Sequence, residues 1–421
     1  MIRAGATPVN PLIQGSNPAS IKQTNLATAL RIIRRGGASR ADISRQSHLS
    51  RGGLTPIINE LLSQRLIVEC ESVETDSGRP PVLLRLNGRY AKVISVLWIR
   101  DQVAVALVGI DGGVQYHWQH AFQGGERAQD VIDMIVAEIG RILARERDCL
   151  LLGIMAQAPG PLDARGGVIL NPSNFNGWQN IPLADILTER FGLNVFLENN
   201  LVGCTVAEQH FGYGRDIPDF IYIVVDEGIG AGFVLGGQLY QGKSRQISEV
   251  GHISLDIHGE KCSCGNTGCA EMYVTVPAMC RLGLCLPATE TRDWDASLLE
   301  VLRRLEHGDA ACRRALEREV EYLGSLIVTL INIFDIDTVI LGSSITAARE
   351  QLQAPLTRYV SERISARPML EPHIYFSRVQ RSSIIGGALR MFDLYIDGHL
   401  GTYAQLLERS ETTLRAFAPQ G

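Results

Sequence analysis

A close group of cysteines constrains the fold most, because a closed metal site fixes the backbone around it. Nine cysteines occur in 421 residues, and three of them fall within eight: Cys262, Cys264 and Cys269. Three thiolates and one imidazole make a tetrahedral zinc site with no position left for water. His252 is the nearest upstream imidazole and His258 its competitor, while Gly265 and Gly268 permit tight turns. The spacing predicts a structural zinc ion in residues 252–269, and the alternative is a reduced loop without metal.

The same stretch carries polar groups beyond the four metal ligands. Glu249 and Glu271 flank the loop, and a zinc-bound His252 would use one ring nitrogen on the metal and donate a hydrogen bond with the other. Two carboxylates and that donor suit adjacent hydroxyls of a sugar ring. Alternatively, both carboxylates only orient the metal ligands or are solvated.

The charge of the chain is unevenly distributed. Residues 1–90 contain 12 Lys and Arg against 6 Asp and Glu, a net charge of +6. The remaining residues contain 28 and 39, a net charge of −11, which together give the overall −5. A basic N-terminal part on an acidic body indicates that this part meets a polyanion.

The basic part has the pattern of three short helices. Residues 1–19 are rich in Pro, Gly, Asn and Ser and are expected to be disordered. Apolar residues recur at helical spacing over residues 20–35, and Ser39 with Asp42 can form a capping box for a second helix. A stripe from Leu54 onward predicts the third helix. This order is typical of a helix-turn-helix.

A hairpin is predicted to complete the N-terminal domain at residue 90. Residues 66–70 and 82–86 read as strands joined by a polar loop, which would make residues 20–90 a winged helix-turn-helix that binds DNA. Arg79, between a glycine and a proline, suits a narrow minor groove. The predicted DNA contacts are Arg40 and Arg45 on phosphates, Arg51 and Thr55 on base edges, and Arg79 at the wing.

Pro56 complicates the third helix. A proline is tolerated at the first helical position but not further inside. The expectation is therefore that Thr55 is the N-cap and that the ordered helix starts at Pro56, which leaves the base-contacting residues open.

The body, from residue 91 onward, contains a repeated pattern. Alternating apolar residues form a strand-turn-strand over 92–110, and the same form returns over 219–240. The repetition predicts a duplicated α/β fold with a cleft between the lobes. We place the lobes at 91–205 and 206–385, with a C-terminal helix, 386–421, packing back on the first lobe. A single α/β domain of ordinary topology is the alternative.

The metal loop, the Glu-x-Gly-His that begins at Glu249 and the closing Glu271 occur together in order. This stretch resembles the signature of the ROK family, which groups bacterial sugar-responsive repressors, sugar kinases and open reading frames. The resemblance covers residues 20–395 and is strongest to the branch of repressors that respond to N-acetylglucosamine or glucose. It implies an actin-like, ribonuclease-H-like body behind an operator-binding domain.

The resemblance also implies the sugar-binding residues. In the family, residues of the segments that correspond to 158–160, 174–178 and 198–200 bind the sugar together with the metal-loop groups. Carried onto this chain, the sugar-binding residues are Gly160, Asn174, Asn199, Asn200, Glu249, His252 and Glu271. Trp178 could stack on a sugar face, although a tryptophan at this spacing usually belongs to the core.

Three departures from the family's kinases argue against phosphoryl transfer. The position of the kinase's catalytic aspartate holds Asn200, whose amide cannot accept the hydroxyl proton. The first phosphate turn, Trp98–Gln102, has no glycine, and the second places Asp226 and Glu227 where phosphates would sit. The segment on the adenosine side, 341–344, has few glycines. We therefore expect no enzymatic activity.

These features predict a cytoplasmic transcriptional regulator, and specifically a repressor. Its expected partners are double-stranded operator DNA, a sugar or sugar derivative, and copies of itself in a homodimer or homotetramer. No membrane insertion is expected, because no apolar run approaches the eighteen residues that a spanning helix needs. The alternatives are an ATP-dependent ROK-type sugar kinase, and a repressor controlled by a protein of the phosphotransferase system.

Overall fold

A small N-terminal unit and two α/β lobes make up the chain in this computed structural model. The structure describes residues 18–70, 82–122, 126–171, 178–243, 249–290, 292–365 and 369–418. Both lobes contain mixed sheets covered by helices, so the predicted α/β class is confirmed. None of the described helices combines the length and apolar character that crossing a bilayer requires.

The N-terminal unit packs three helices on a three-stranded antiparallel sheet in the order β1-β3-β2. Its elements are α1 (Pro18–Arg34), β1 (Ala38–Ser39), α2 (Arg40–Ser47), α3 (Arg51–Ser63), β2 (Ile67–Cys70) and β3 (Leu83–Leu86). Ser39 caps α2, where its hydroxyl accepts from the Asp42 amide at 3.1 Å and the Asp42 carboxylate accepts in return. The sequence predicted this capping box.

The predicted start of the third helix is wrong. α3 begins at Arg51 and is capped by Ser50, whose hydroxyl accepts from the Gly53 amide at 3.2 Å. Pro56 lies inside the helix, and Thr55 donates its hydroxyl hydrogen to the Arg51 carbonyl at 2.9 Å. The first residue of α3 is therefore set by the Ser50 cap and not by Pro56. The carbonyl that loses its partner to Pro56 belongs to the exposed Gly52, so water can satisfy it.

The first lobe is built on a five-stranded sheet in the order β10-β7-β4-β5-β6. β4, β5 and β6 form an antiparallel meander, and β7 and β10 continue parallel to β4 on its other side. The elements are β4 (Ala91–Trp98), β5 (Gln102–Gly109), β6 (Val114–Ala121), α4 (Ala128–Arg145), β7 (Leu150–Ala158), β8 (Leu162–Asp163), β9 (Val168–Ile169), α5 (Leu183–Phe191) and β10 (Val195–Asn199).

The second lobe repeats this topology with the order β13-β12-β11-β14-β15. Its first three strands are again an antiparallel meander, and its last two are again parallel to the first. The elements are α6 (Asn200–Phe211), β11 (Phe220–Val225), β12 (Ile229–Leu235), β13 (Gln238–Tyr240), α7 (Val276–Gly283), α8 (Trp294–Glu306), α9 (Ala310–Phe334), β14 (Thr338–Gly342), α10 (Arg349–Arg363) and β15 (His373–Phe376).

Two final helices return to the first lobe, α11 (Ser382–Ile396) and α12 (Tyr403–Ala416). α11 packs along α6 and against β4 and β7, and α12 packs on β7. The predicted C-terminal helix is therefore two helices. α6 runs across residue 205 and α11 across residue 385, so both predicted lobe boundaries lie inside helices.

The hydrophobic core does not stop at the end of the N-terminal unit. One buried cluster contains Leu26 and Ile33 of α1, Ile58 of α3, Val93 of β4 and Phe392 of α11. A second cluster fills the other face of the first sheet, and a third fills the second lobe. The N-terminal unit thus rests on α11 and the first sheet through shared apolar packing.

Candidate functional site

Four candidate metal ligands come together in the loop between β13 and α7. The ligand atoms of His252, Cys262, Cys264 and Cys269 all lie within 4.8 Å of one another. His258, the competing imidazole, is exposed and does not belong to this group. The structure therefore selects His252 as the fourth member of the set.

The spacing of these atoms suits a tetrahedral ion. The Cys262 Sγ lies 3.7 Å from the His252 Nδ1, and the Cys264 and Cys269 Sγ atoms are 3.6 Å apart. Zinc bonds of about 2.3 Å to sulfur and about 2.0 Å to nitrogen would separate the ligand atoms by about 3.5–3.8 Å in a tetrahedron. All nine cysteines are free thiols, so no disulfide competes for these three. The donor set fits zinc.

Two glycines give the metal loop its shape, as the sequence predicted. Gly265 has φ 94° and Gly268 has φ 68°, a region that side chains other than glycine rarely adopt. A Cβ on Gly268 would also lie 1.6 Å from the Asp256 carbonyl oxygen. The Gly268 carbonyl accepts from the Leu255 amide at 2.8 Å, which ties the two arms of the loop together.

Glu249 of the predicted sugar site lies next to the His252 imidazole, and Glu271 interacts with this ring through its charge. The His252 Nδ1 points toward the thiols, and its Nε2 lies 3.6 Å from the Glu249 Oε2. Glu271 stands two residues after Cys269. Burial raises the pKa of Glu271, with Glu249 adding to the rise and His252 opposing it. The ring can thus hold a metal with one nitrogen and serve the carboxylate side with the other.

The first lobe contributes Gly160 and Asn199 to the same place. A Cβ on Gly160 would lie 3.4 Å from the Asn199 Nδ2 and 3.4 Å from the Glu249 Oε1. Asn199 is the N-cap of α6, where its Oδ1 accepts from the Leu201 amide at 2.9 Å. Its amide nitrogen is therefore directed toward Gly160 and Glu249. A side chain at position 160 would fill this space.

The remaining predicted sugar residues have different positions. Asn200 is the first residue of α6 and its carbonyl accepts from the Ser383 hydroxyl at 3.3 Å. Asn174 lies outside the described residues. Trp178 is buried with its ring 4.4 Å from that of Trp98, and its Nε1 donates to the Glu126 carbonyl. It belongs to the core of the first lobe and is not available to stack on a sugar.

The turn after β11 is occupied by the protein's own hydroxyl groups. The half-buried Asp226 accepts from the Ser343 hydroxyl at 2.5 Å and from the Ser344 hydroxyl at 3.2 Å. Burial raises the pKa of Asp226, although the hydrogen bond from Ser343 lowers it. The segment 341–344 therefore binds a side chain of this lobe.

An ion pair joins the corresponding turns of the two lobes. The Arg100 guanidinium, from the turn after β4, pairs with the Glu227 carboxylate from the turn after β11. Burial raises the pKa of Glu227, and the positive charge of Arg100 opposes the rise. The two carboxylates that were predicted at this turn are present, and each has a partner: Glu227 is paired and Asp226 is hydrogen-bonded.

The predicted DNA contacts of the N-terminal unit lie at its surface. Arg51 and Thr55 are exposed at the start of α3. Arg40 pairs with Glu69 at 2.9 Å, and Arg45 pairs with Asp42 at 2.5 Å. Exposed ion pairs contribute about 1 kcal/mol or less, so both arginines can exchange a carboxylate for a phosphate. Arg79 lies outside the described residues.

The sequence did not reveal a buried charge pair below Asn199. The Arg390 Nε lies 3.6 Å from the Glu198 Oε1, and both side chains are almost fully buried. Glu198 could have been noticed as a carboxylate inside an apolar strand. Nothing in the sequence connects it with an arginine in α11, so this partner required the structure.

The sequence profile of the ROK family matches residues 99–393. Among named relatives, the xylose repressor of Bacillus spizizenii is 27% identical over 348 residues, which are 82% of this chain and 88% of that protein. The transcriptional dual regulator NagC of Escherichia coli is 27% identical over 348 residues, covering 80% of this chain and 85% of that protein.

Solved structures show the same similarity. A ROK family transcriptional regulator, described as a homologue of the E. coli Mlc protein, superposes with a TM-score of 0.75 at 27% identity. It covers 93% of this chain and 99% of its own. The ROK hexokinase of Thermus thermophilus superposes with a TM-score of 0.62 at 27% identity, covering 73% of this chain and 100% of its own.

Proposed function

The chain belongs to the ROK family, and from this premise we propose that it is a sugar-responsive transcriptional regulator that represses genes of carbohydrate uptake or metabolism. One observation carries the proposal. A transcriptional regulator matches 93% of the chain, whereas a whole hexokinase of the family matches 73%. The difference matches the presence of an N-terminal unit in addition to the kinase-like body.

The N-terminal unit has the element order of a winged helix. α2 and α3 are joined by a short turn, and β2 and β3 are the strands of a wing. In this arrangement α3 would enter the major groove of operator DNA, with Arg51 and Thr55 nearest the base edges. Arg40 and Arg45 would contact phosphates, and Arg79 would reach the minor groove.

The cleft between the lobes supplies the sugar site. Gly160 and Asn199 from the first lobe lie next to Glu249 from the second lobe. Glu249 lies next to His252, and Glu271 is close enough to both to interact with their charges. Amide and carboxylate groups of this kind discriminate ring hydroxyls by accepting and donating hydrogen bonds. Asn174 and Asn200 are proposed to complete the site.

Zinc is proposed to be a structural ion at this site. His252, Cys262, Cys264 and Cys269 would hold it, and the closed ligand set leaves no position for catalysis. The metal would fix the imidazole of His252 and the turn that carries Glu271, and thus the side of the sugar site that the second lobe provides. The ion would therefore be needed for sugar binding without touching the sugar.

The kinase alternative conflicts with the chemistry of the nucleotide side. Asn200 replaces the base that phosphoryl transfer requires. Asp226 already uses the hydroxyl groups of Ser343 and Ser344, and the Arg100–Glu227 pair occupies the two turns expected to hold phosphates. These contacts support a body that binds sugar without phosphorylating it.

Regulation would follow from a difference in sugar affinity between two arrangements of the lobes. A sugar that contacts both lobes binds the closed arrangement better than the open one, and shifts the chain toward closure. In a homodimer or homotetramer, closure would change the distance and angle between two N-terminal units and so alter affinity for a two-part operator. The same linkage requires operator DNA to change the affinity for the sugar.

Calorimetric titration of the zinc-loaded chain tests the sugar site. The panel contains monosaccharides, amino sugars and their 6-phosphates, and one member is expected to bind with micromolar affinity. Glu249→Gln should abolish the heat, whereas Glu260→Gln, an exposed carboxylate on the same loop, should leave it unchanged. Selection of duplexes from a random library supplies the operator, and the binding sugar should change the affinity for it.

Two outcomes would redirect the proposal. If the sugar bound but left operator affinity unchanged, the sensor mechanism would be wrong. If no panel member bound while a duplex was still selected, control by a protein of the phosphotransferase system would be favoured, and addition of that protein should release the duplex.

A further inference from the structure

A row of four charged side chains runs from the cleft to the N-terminal unit. It consists of Glu198 at the end of β10, Arg390 and Asp393 on α11, and Arg34 at the end of α1, with charges that alternate in sign. The Arg390 Nε lies 3.6 Å from the Glu198 Oε1, and the Arg34 Nη1 donates to the Asp393 Oδ1 at 2.5 Å. Arg390 and Asp393 stand three residues apart on one helix, so they share a face.

The charges of both arginines in the row act on Asp393. Burial acts to raise the pKa of Asp393, but the Arg34 guanidinium, the His210 imidazole and, less strongly, the Arg390 guanidinium hold it below its usual value. Arg34 also lies 5.9 Å from the centre of the Phe392 ring on the same helix. The Asp393 carboxylate thus pairs directly with Arg34 of the N-terminal unit, and the charge of Arg390 on its own helix also acts on it.

Burial distinguishes this row from ordinary surface pairs. The side chains of Glu198 and Arg390 are 4% and 10% exposed, and those of Arg34 and Asp393 are 12% and 20% exposed. A buried charge that loses its partner is strongly destabilised, so a displaced charge forces its partner to follow or the pair to break. The neighbouring pair of Arg31 on α1 with Asp397, the residue after α11, is 49% and 37% exposed and lacks this constraint.

One end of the row lies next to a proposed sugar-binding group, and the other end lies in the N-terminal unit. Glu198 directly precedes Asn199, whose amide is directed toward Gly160 and Glu249. At the other end, Arg34 is followed by Arg35, whose carbonyl accepts from the Arg215 guanidinium in the turn after α6. α6 begins at the sugar side and packs along α11 over its length. The α6–α11 pair therefore contacts the cleft at one end and α1 at the other.

We infer that the row Glu198–Arg390–Asp393–Arg34 couples the sugar site to the DNA-binding unit, with Arg390 and Asp393 as positioning residues that touch neither ligand. A sugar that draws Asn199 toward Glu249 shifts the end of β10 and with it Glu198. Arg390 then moves with Glu198, and α11 moves with Arg390. Asp393 on α11 in turn displaces Arg34, and with it α1. This inference rests on the proposed function and names the path of its regulation.

The test measures the ratio of operator affinities with and without sugar. The probes are D-xylose, D-glucose and N-acetyl-D-glucosamine, and the duplex selected from the random library. Asp393→Asn breaks the row at the DNA side, and Glu198→Gln with Arg390→Met removes both charges at the sugar side. Each variant should still bind sugar and duplex, but the sugar-induced change in duplex affinity should fall about 2- to 30-fold. Asp397→Asn is the matched control and should keep the wild-type ratio.

The outcomes separate this inference from the proposed function. If the wild-type chain responds to a sugar and both row variants respond equally, the inference is overturned and the proposed function stands. If the wild-type chain binds none of the three probes and no other sugar of the calorimetric panel, or selects no duplex, the proposed function fails and the inference falls with it. Should Asp393→Asn not fold, Arg34→Met with Asp393→Leu replaces the pair by apolar groups and gives the same decision. A purely structural row would lower the unfolding temperature and leave the ratio unchanged.

Discussion

At the scale of single residues, Glu319 is an unusual group in the second lobe. It lies in α9, and both carboxylate oxygens are buried without a hydrogen-bond partner among the residues that the structure describes. Burial raises the pKa of Glu319 from 4.5 to about 8, with a small opposing effect of Arg318. The folded chain therefore keeps this proton at pH values where the unfolded chain has released it.

This difference predicts a pH dependence of stability. Between about pH 4.5 and 8 the unfolded state binds fewer protons than the folded state, so the free energy of unfolding falls with rising pH by up to about 1.4 kcal/mol per unit. Glu319→Gln should match the wild type near pH 5 and exceed it by several kcal/mol near pH 8. Urea unfolding at both pH values checks this, with the exposed Glu317→Gln as control. Equal pH profiles for Glu319→Gln and wild type would contradict the prediction.

The metal ligands give a second prediction at this scale. Cys269→Ser or Cys264→Ser should remove about one zinc per chain and lower the unfolding temperature, because a structural zinc contributes directly to folding. Cys285→Ser, an exposed thiol outside the group, should leave the metal content unchanged. Elemental analysis after gel filtration measures the zinc. Retention of the full zinc content by both ligand variants would disprove the assignment.

Residues could be predicted from the sequence where neighbours in space are also neighbours in the chain. The metal ligands span 18 positions, from His252 to Cys269, and the Ser39–Asp42 capping box spans four. The Glu198–Arg390 pair could not be predicted, because its members come from β10 and α11 and meet only after both lobes have formed. The same holds for the Arg100–Glu227 pair, which joins turns of different lobes.

At the scale of elements, α3 shows how a local rule can be overruled. The proline rule pointed to Pro56 as the helix start, but Ser50 provides a side-chain cap five residues before the expected N-cap. The sheets, in contrast, follow from local hairpins whose alternation is visible in the sequence. The lobe boundaries did not follow, because α6 and α11 contact both their own neighbours and the adjacent lobe, and composition does not record that.

Gly52 in α3 should be replaceable with a gain in stability. It is helical and exposed, and a Cβ there would meet no atom within 4 Å. Gly52→Ala should stabilise α3 by about 0.5–1 kcal/mol and raise the exchange protection of its amides about two- to five-fold. Hydrogen exchange followed by mass spectrometry measures this.

Gly37→Ala is the contrasting variant. Gly37 has φ 95°, and its Cβ would lie 3.2 Å from the Leu84 carbonyl oxygen, so this change should destabilise the same unit. If both alanine variants shifted protection in the same direction, backbone conformation would not be the cause.

At the scale of the whole molecule, the contacts at the turns of the two lobes predict whether the kinase aspartate, placed at position 200, would bring back kinase activity. Asn200→Asp restores the expected catalytic carboxylate, but the phosphate turns remain occupied by Asp226 with its serines and by Arg100 with Glu227. Phosphoryl transfer needs positioned phosphates as well as a base. The variant should therefore release no ADP above background with ATP, magnesium and the bound sugar, while the Thermus thermophilus hexokinase does so in parallel. Sugar-dependent ADP release by Asn200→Asp would restore the kinase alternative.

The apolar cluster that continues from α1 and α3 into α11 has a consequence for how the protein is made. The N-terminal unit leaves the ribosome before α11, which contributes Met391 and Phe392 to the same cluster. For most of translation the unit exists without the surface that orients it. A nascent chain that ends before α11 lacks the apolar surface on which the N-terminal unit packs. Synthesis of α11 is therefore the step that lets this unit take its place on the first lobe.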